Sequence, residues 1–310
     1  MIKALLIGCG NIGAGYDLND PAKAWTHAKA YSLRNDIELS IFDEDIAKAQ
    51  QIAERYKAIL VESLHDVDYN KYQIISITTP TTTHYNFLEK IIRAKVPVVI
   101  CEKPVVSETT QVKQLEQLYK SGHSKIIVNY IRRFQPGYKE AKERILKCSE
   151  NQLLRGIIIK YKRGFLNNAS HAIDLLEYIF ETAFDFEKFQ ISAAVFDAFD
   201  YDPTITATCL FHDVPVSFAG FVSTSYAIFE IELFFSSSKV VICHSGNEIR
   251  YYYDDNGNWN EHTEERQTAL LDHYMVPVID SAVDLYNGHG EDNFMSSLRL
   301  NKAILETIET

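Results

Sequence analysis

Continuous apolar runs alternate with amphipathic stretches through the first third of the chain. The runs are bounded by glycine, proline or acidic residues, which is typical of central strands of a parallel sheet. The predicted strands are Ile2–Ile7, Ile37–Phe42, Ile59–Val61, Tyr72–Thr78 and Val98–Cys101. The predicted helices are Ala22–Leu33, Glu44–Tyr56, Thr82–Ala94 and Ser107–Tyr119. Strands that alternate with helices of about 10–15 residues indicate βαβ units and a parallel sheet.

The pattern changes near residue 121. After a further strand and a helix, long strands follow one another with short, turn-rich links, which favours antiparallel neighbours. The predicted strands are Lys125–Asn129, Leu153–Lys162, Lys188–Phe196, Thr204–Phe211, Val216–Thr224, Ala227–Ser236, Lys239–His244 and Glu248–Tyr253. The predicted helices are Pro136–Cys148, Ala169–Phe180, Val278–Tyr286 and Asp292–Glu309. We therefore expect two domains, at residues 1–122 and 123–310.

A glycine-rich loop follows the first strand directly. Gly8, Gly10 and Gly13 have the spacing G-x-G-x-x-G, with Asn11 and Ile12 between the last two. In this pattern the first glycine makes a tight turn, the second lets the backbone approach a pyrophosphate, and the third allows close packing of helix on strand. The sequence thus predicts an α/β fold with an N-terminal Rossmann dinucleotide-binding domain. A C-terminal α+β domain with a large, mostly antiparallel open sheet follows it.

Asp43 ends the second predicted strand. An acidic side chain at this place can accept hydrogen bonds from both ribose hydroxyls and repel a 2′-phosphate. Its distance from Gly13 exceeds the usual spacing of about 20 residues, and we interpret Asp17–Trp25 as an insertion that accounts for the excess. Alternatively, Asp43 only caps the helix that begins at Glu44. We expect NAD to be preferred over NADP.

The segment Val98–Val105 places Glu102, Lys103 and Pro104 immediately after a short apolar strand. Ligands of open parallel sheets bind beyond the carboxyl ends of the strands, so Lys103 is expected to face a ligand. Pro104 favours an extended conformation of Lys103 and keeps it out of a helix. The alternative is that Glu102 and Lys103 form a solvated pair in a loop.

Charge and cysteine content narrow the classes of partner and compartment. The formal net charge of −11 disfavours general attraction to nucleic acid or to an anionic membrane. The five cysteines are scattered without a CxxC pair, which indicates reduced thiols and a cytoplasmic protein. No apolar run approaches the roughly 18 residues of a membrane span. The N-terminus enters a strand directly, so no signal peptide is expected.

Several motifs occur in order along the chain, and together they are informative. They are GCGNIG at 8–13, TTPTTTH at 78–84, CEKPV at 101–105, NYIRRFQP at 129–136 and NNASHAIDLL at 167–176. This set resembles the Gfo/Idh/MocA family, named for glucose-fructose oxidoreductase and inositol dehydrogenase, over essentially the whole chain. The resemblance implies an NAD(P)-dependent dehydrogenase or reductase acting on CH–OH groups. Such enzymes move a hydride between nicotinamide and a carbinol or keto carbon of a sugar, cyclitol or nucleotide-sugar.

The resemblance also implies catalytic residues. Lys103 corresponds to the active-site lysine that hydrogen-bonds the reacting oxygen or carries its proton, and His171 corresponds to the acid/base histidine. Asp174 completes the His-x-x-Asp pattern on the same helix face. Burial and a nearby positive nicotinamide can tune a lysine or histidine towards neutral pH. The alternative is that His171 is a core histidine. A metal site formed by His171 and Asp174 would lack further ligands at suitable spacing, so no metal is expected.

Two larger sets of binding residues follow from the same resemblance. The implied cofactor-binding residues are Gly8, Gly10, Asn11, Ile12, Gly13, Asp43, Thr79, Pro80, His84, Glu102 and Lys103. The implied substrate-binding residues are Lys103, Arg132, Arg133, Tyr161, Asn168 and His171, with Lys162 and Arg163 near them. The alternative for Arg132 and Arg133 is a solvated pair.

Asn167 departs from the family pattern. Inositol-dehydrogenase-like members carry an aspartate four residues before the histidine. Asparagine in the catalytic set can orient an imidazole but cannot stabilise an imidazolium by charge. Either Lys103 therefore carries the proton transfer, which we favour, or Asp174 supports His171, or the reaction is slow or different. Two alternatives remain: a redox-neutral NAD-dependent elimination or hydrolysis on a sugar, and a non-catalytic NAD-binding regulator.

Alternating apolar residues on the later strands suggest a subunit interface. They are Phe218, Phe221, Phe229, Ile231, Leu233 and Phe235. When helices cover one face of a large sheet, its other apolar face must be covered as well. The family has such an interface, so we expect a homodimer or homotetramer formed through the C-terminal sheet.

Overall fold

The structure is a computed structural model that describes residues 1–65, 67–253 and 263–309. It divides into two compact units, Met1–Ile131 with Asp272–Lys302, and Arg132–Leu271 with the residues from Ala303 onwards. The first unit extends to Ile131 because the strand Lys125–Val128 pairs with the parallel sheet. The domain boundary between residues 122 and 123 stays a prediction.

The first unit contains a six-stranded parallel sheet in the order β3-β2-β1-β4-β5-β6. Its strands are β1 (Ile2–Ile7), β2 (Ile37–Phe42), β3 (Ile59–Leu60), β4 (Ile74–Ile77), β5 (Val98–Cys101) and β6 (Lys125–Val128). Every residue of β4 and β5 is buried, as expected for central strands covered on both faces. The predicted parallel sheet of Rossmann type is confirmed.

The helices agree with the predicted positions, with shifted ends. In chain order they are α1 (His27–Ser32), α2 (Ile46–Tyr56), α3 (Thr81–Arg93), α4 (Thr109–Ser121), α5 (Pro136–Asn151), α6 (Ser170–Phe180), α7 (Met275–Tyr286) and α8 (Phe294–Glu309). Helix α1 begins five residues later than the predicted Ala22. The carboxylate of Asp17 accepts hydrogen bonds from the backbone N–H groups of Trp25 and Thr26 (2.7 and 2.8 Å), which holds the preceding segment as a loop.

The strands of the first unit end in register. Ile7 lies opposite Ile77, Ile77 opposite Cys101, and Cys101 opposite Val128. The residues that follow these strand ends therefore share one edge of the sheet. They are Gly8, Thr78, Glu102 and Asn129. This is the edge at which open α/β sheets bind ligands, beside the change of strand order between β1 and β4.

The second unit contains an eight-stranded sheet in the order β14-β13-β12-β11-β7-β10-β9-β8. Its strands are β7 (Leu154–Lys162), β8 (Gln190–Val195), β9 (Thr204–Phe211), β10 (Val214–Phe221), β11 (Phe229–Phe235), β12 (Ser238–Cys243), β13 (Glu248–Tyr253) and β14 (Thr263–Gln267). Only the β7–β10 pair is parallel among the described strands of this sheet, so the mostly antiparallel prediction is confirmed. The predicted turn at 256–258 lies outside the described residues.

One face of this sheet forms the apolar core of the second unit. Phe218, for example, has its ring centroid 5.5 Å from that of Phe165 and 5.9 Å from that of Phe184. The residues Phe218, Phe229, Ile231, Leu233 and Phe235 are all buried within the chain, whereas Phe221 is 39% exposed. The assignment of this face to a subunit interface is therefore wrong. Alternation along β10 and β11 turns these side chains towards the chain's own core.

Within residues 1–65, 67–253 and 263–309, no helix is both long and apolar enough to span a bilayer.

Candidate dinucleotide-binding and catalytic site

Two glycines of the loop after β1 are required by the fold itself. Gly8 has φ +102°, and a Cβ there would lie 3.0 Å from the backbone of Thr78. A Cβ on Gly13 would lie 2.3 Å from the carbonyl oxygen of Gly8. The Thr78 hydroxyl donates to that same carbonyl at 2.7 Å and fixes the loop to the end of β4. These residues form a compact turn that leaves no room for side chains.

Gly10 differs, because the protein itself gives no steric reason for a glycine there. The nearest atom to a Cβ at this position is the carbonyl oxygen of Thr78, 4.0 Å away, and the backbone has φ −63°. The missing side chain therefore leaves space above the turn. Such space is what the close approach of a pyrophosphate to a dinucleotide-binding loop requires. The loop consequently fits a dinucleotide.

Asp43 is hydrogen-bonded to the same loop. Its Oδ2 accepts from the backbone N–H of Cys9 at 2.5 Å, and its Oδ1 accepts from the N–H of Asp45 at 2.9 Å. Helix α2 is capped by Asp45, whose side chain accepts from the N–H of Lys48 at 3.1 Å. The alternative that Asp43 only caps this helix is therefore wrong. Asp43 stands at the end of β2 beside the glycine loop, where a ribose is expected.

His84 connects two loops at this edge of the sheet. Its Nε2 lies 2.9 Å from the carbonyl oxygen of Thr79, and its Nδ1 lies 2.9 Å from that of Pro104. Burial lowers the pKa of His84, while the two carbonyl contacts oppose that change. Thr79 also accepts a hydrogen bond from the hydroxyl of Thr83 at 2.7 Å. His84 thus holds the predicted cofactor loop against the segment that carries Lys103.

The segment after β5 is held from several sides. Glu102 Oε1 accepts from Asn129 Nδ2 at 2.5 Å and lies 3.0 Å from His27 Nε2. Further on, the backbone N–H of Val106 donates to Asn301 Oδ1 at 2.9 Å. Lys103 lies between these anchors and is half-buried. The solvated-pair alternative is wrong for Glu102, which is only 8% exposed.

In the second unit, the carboxylate of Asp174 pairs with Arg133. The contacts are bidentate, with Arg133 Nε donating to Oδ2 at 3.0 Å and Nη2 to Oδ1 at 2.5 Å. Burial raises the pKa of Asp174 to about 6, although the Arg133 charge opposes this. His171 lies one turn earlier on α6 and is half-buried. Asp174 therefore has an arginine partner on the helix that carries His171.

Two residues predicted to bind substrate are buried in the second unit. The Arg132 guanidinium lies 3.7 Å from the ring centroid of Phe229 and donates to the carbonyl oxygen of Ser245 at 2.8 Å. The Tyr161 hydroxyl donates to the carbonyl of Ile205 and accepts from its N–H, both at 2.7 Å. Arg132 and Tyr161 connect strands and turns within the second unit, and neither belongs to the proposed substrate site. The solvated-pair alternative for Arg132 and Arg133 is also wrong, because both side chains are largely buried.

A buried aspartate that the sequence patterns did not indicate holds the turn before α6. Asp202 accepts from the backbone N–H groups of Leu166 and Asn167 at 2.7 and 2.8 Å. Asn167 Nδ2 donates to the carbonyl of Arg163 at 3.3 Å, and Asn168 Nδ2 to that of Lys162 at 2.8 Å. The side chains of Asn167 and Asn168 thus contribute to the turn itself. Asp202 lies far from this turn in the sequence, within an aspartate-rich stretch, and no sequence pattern indicates the contact.

Cys243, His244 and Glu248 offer ligand atoms within 4.8 Å of one another. The Arg250 guanidinium already occupies this group, because its Nε bonds to Glu248 and its Nη2 lies 3.2 Å from His244 Nε2. A fixed positive charge therefore stands where a metal ion would have to bind. We propose no metal site there.

Residues 2–130 match the family described as an oxidoreductase family with an NAD-binding Rossmann fold. This N-terminal part of the chain matches the Gfo/Idh/MocA family. The matched range contains the glycine loop, Asp43, His84 and the Glu102–Lys103 segment. These are the elements gathered at the edge of the parallel sheet, and the resemblance inferred from the motifs is confirmed.

A curated relative and two solved structures are similar to this chain. The chain is 29% identical to inositol 2-dehydrogenase of Rhizobium meliloti over 146 residues, which is 45% of this chain and 39% of that relative. The 3-ketoreductase KijD10 of Actinomadura kijaniata, solved with NADP and TDP-benzene, has a TM-score of 0.75 at 14% identity, covering 99% of this chain and 97% of that one. A super-repressor mutant of Gal80p from Saccharomyces cerevisiae has a TM-score of 0.78 at 15% identity, covering 99% and 95%. The structural likenesses establish the fold alone.

Proposed function

We propose that this protein is an NAD(P)-dependent oxidoreductase that transfers a hydride between nicotinamide and a carbinol or keto carbon of a sugar, cyclitol or nucleotide-sugar. The observation that carries the proposal is the space above Gly10, which the protein does not need for its own packing. It lies on the sheet edge that also presents Glu102 and, next to it, Lys103. The names of the inositol dehydrogenase and the 3-ketoreductase support a sugar-like substrate.

Lys103 is the proposed proton-transfer residue. When bound, the nicotinamide supplies the hydride acceptor or donor, and an alcohol that loses a hydride must also lose its hydroxyl proton. The Lys103 ammonium can hydrogen-bond the reacting oxygen, and its amine can take the proton. Glu102 is fixed by Asn129 and His27, so its charge stays beside Lys103. His171 of α6 is the second candidate for acid/base work, and Arg133 and Asn168 remain proposed substrate contacts.

Asp43 supports a preference for NAD over NADP. A carboxylate at the end of β2 can accept from the ribose hydroxyls and would repel a 2′-phosphate. Each oxygen of Asp43 already accepts one backbone hydrogen bond, which fixes the direction of the group without exhausting its acceptor capacity.

Turnover with a panel of substrates tests the proposal. Purified protein is mixed with NAD⁺ or NADP⁺ and with inositols, free sugars and nucleotide-sugars, and the reduced-nicotinamide absorbance is followed. We expect reduction with at least one sugar-like substrate and loss of turnover in Lys103→Met. Lys113→Met, an exposed lysine on α4, is the matched control and should keep full activity. Survival of activity in Lys103→Met would contradict the assignment.

A non-catalytic NAD-binding regulator is the second candidate. It is favoured by Asn167, which replaces a charged residue of the inositol-dehydrogenase-like members, and by the fold shared with a Gal80p repressor mutant. Tight NADH binding with no turnover on any substrate would favour this candidate. A redox-neutral product without net NADH would instead favour NAD-dependent elimination or hydrolysis.

A further inference from the structure

Behind Glu102 lies a row of buried polar side chains. His27 Nε2 is 3.0 Å from Glu102 Oε1, and His27 Nδ1 is 3.2 Å from Ser76 Oγ. Ser76 Oγ is in turn 2.7 Å from the hydroxyl of Tyr31. His27 and Ser76 are fully buried, Tyr31 is 1% exposed and Glu102 is 8% exposed. The row therefore runs from the interior of the first unit to the segment that carries Lys103.

The hydrogen bonds of this row have one consistent direction. An ionised carboxylate only accepts, so His27 Nε2 must carry a hydrogen and donate it to Glu102. His27 Nδ1 in the neutral ring then accepts from the Ser76 hydroxyl, and Ser76 accepts from Tyr31. Asn129 supplies the second donor to Glu102 Oε1. Every donor of the row thereby has an acceptor, as buried polar groups require.

His27 itself is fixed by the start of α1. Thr26 caps the helix, accepting from the N–H of Lys29 at 3.2 Å, and its hydroxyl donates to Asp17 Oδ1 at 2.9 Å. Asp17 also accepts from the backbone N–H of Thr26 and is 1% exposed. The predicted insertion at 17–25 thus has a definite structural effect. It sets the position of the imidazole that reaches Glu102.

We propose that His27 is a positioning residue that orients the Glu102 carboxylate and, through it, sets the charge beside Lys103 in the dinucleotide site. The link to catalysis rests on the proposed function, whereas the His27–Glu102 contact does not. Nothing in the motif pattern marks His27, because it lies just after the segment interpreted as an insertion.

The groups that face Glu102 make this role electrostatic as well as geometric. Burial favours the neutral acid, but the contact with His27, the hydrogen bond from Asn129 and the Lys103 charge together outweigh it and lower the pKa of Glu102. Other titratable groups that face it are Lys103, His84, Cys101 and Tyr274. Without the donor from His27, the desolvation of Glu102 is compensated only in part, and the carboxylate should take up a proton nearer to neutral pH.

Carboxyl ¹³C NMR of glutamate-labelled protein without cofactor tests the proposal directly. Glu102→Gln identifies the resonance by its loss. In His27→Phe, which keeps a planar ring without a donor, we expect the Glu102 titration to move up by about one pH unit or more. His27→Gln retains an N–H donor and should restore most of the wild-type value. An unchanged titration in His27→Phe would overturn the proposal.

A second measurement needs no variant and covers the case in which His27→Phe does not fold. Imidazole ¹⁵N NMR of the wild-type protein should show His27 with its hydrogen on Nε2. A hydrogen on Nδ1 alone would overturn the assigned donor. For the Glu102 titration of His27→Phe, Ser76→Ala is the matched control, because it removes the neighbour on Nδ1 and leaves the Nε2 contact with Glu102.

Turnover adds the catalytic readout and separates the two proposals. If the enzyme is active, the acid limb of its pH profile should shift upwards in His27→Phe and return in His27→Gln. An inactive wild-type protein with the expected NMR titrations would refute the proposed function while leaving the His27–Glu102 role intact. An active enzyme whose acid limb does not move in His27→Phe would refute the catalytic part of the inference.

Discussion

Gly10 and Gly13 lie three positions apart in one loop and are glycine for different reasons. A side chain at position 13 collides with the Gly8 carbonyl, whereas one at position 10 meets only open space. The G-x-G-x-x-G pattern alone does not show which of the two is required by the fold. The structure separates the glycine needed for folding from the glycine left for a ligand.

Gly10→Ala should therefore weaken dinucleotide binding without affecting stability. We expect the dissociation constant for NADH to rise about tenfold or more, a loss of about 1.4 kcal/mol, because the methyl group occupies the approach of the pyrophosphate. Gly13→Ala should instead lower the free energy of unfolding by about 1–3 kcal/mol through overpacking. Calorimetric NADH titration and denaturant unfolding of both variants distinguish the effects. Unchanged NADH affinity in Gly10→Ala would contradict the assignment.

Asp43 offers a test of cofactor preference. Asp43→Asn keeps an oxygen for the Cys9 N–H but removes the negative charge that should repel a 2′-phosphate. We expect the ratio of NADH to NADPH affinities to fall about tenfold, which corresponds to about 1.4 kcal/mol. Asp45→Asn makes the same charge change at the α2 cap, and asparagine still caps a helix well. An equal change of ratio in both variants would show that Asp43 has no specific role.

Helix α6 carries both a predicted catalytic residue and one partner of a buried ion pair. The His-x-x-Asp spacing placed His171 and Asp174 on one face, but the partner of Asp174 is Arg133, which the sequence suggested only as part of a substrate loop. Contacts of this kind depend on how distant segments pack, so local patterns do not reveal them. The strand ends and the glycine loop were predictable because each depends on a few neighbouring residues.

The same limit explains the other differences from the predictions. Strand β14 has the sequence Thr-Glu-Glu-Arg-Gln, which offers no apolar position to alternate, and it is recognisable only from its pairing with β13. Tyr161 lies on the buried face of β7, where its hydroxyl is satisfied by Ile205. A pattern of alternation assigns such a residue to one of two faces and does not tell which face is buried.

Asp174 should make stability depend on pH. Its folded-state pKa of about 6 lies above the usual value of 3.8, so its contribution is fully present below about pH 4 and is lost as the pH rises through 6. The loss should be on the order of 2–3 kcal/mol. Asp174→Asn should remove this part of the pH dependence, as measured by urea unfolding between about pH 4 and 7. A parallel profile for variant and wild type would contradict the raised pKa.

The expected oligomer needs a surface other than the buried face of the second sheet. The opposite face carries ion pairs formed by Lys160, Glu230, Glu232 and Lys239. Phe221 on β10 is also exposed. Self-association through this sheet stays a prediction. With a net charge of −11, association should strengthen as salt screens the repulsion between copies.

Sedimentation equilibrium at micromolar concentration tests this. We expect a dimer or larger species and a weaker association in Phe221→Glu, because a charge enters the proposed contact. Leu33→Glu makes the same change at an exposed apolar residue of the first unit and should have no effect. A monomer at every salt concentration would contradict self-association.

The transfer of deuterium from C4-deuterated NADH to a keto-substrate is a direct test of hydride transfer by this protein. Keto-sugars, inososes and keto nucleotide-sugars are incubated with the labelled cofactor, and the products are examined by mass spectrometry. We expect deuterium at the new carbinol carbon with the wild-type protein and with Lys113→Met, and none with Lys103→Met, although that variant still binds NADH. Tight NADH binding without deuterium in any product of the wild-type protein would contradict the proposed oxidoreductase.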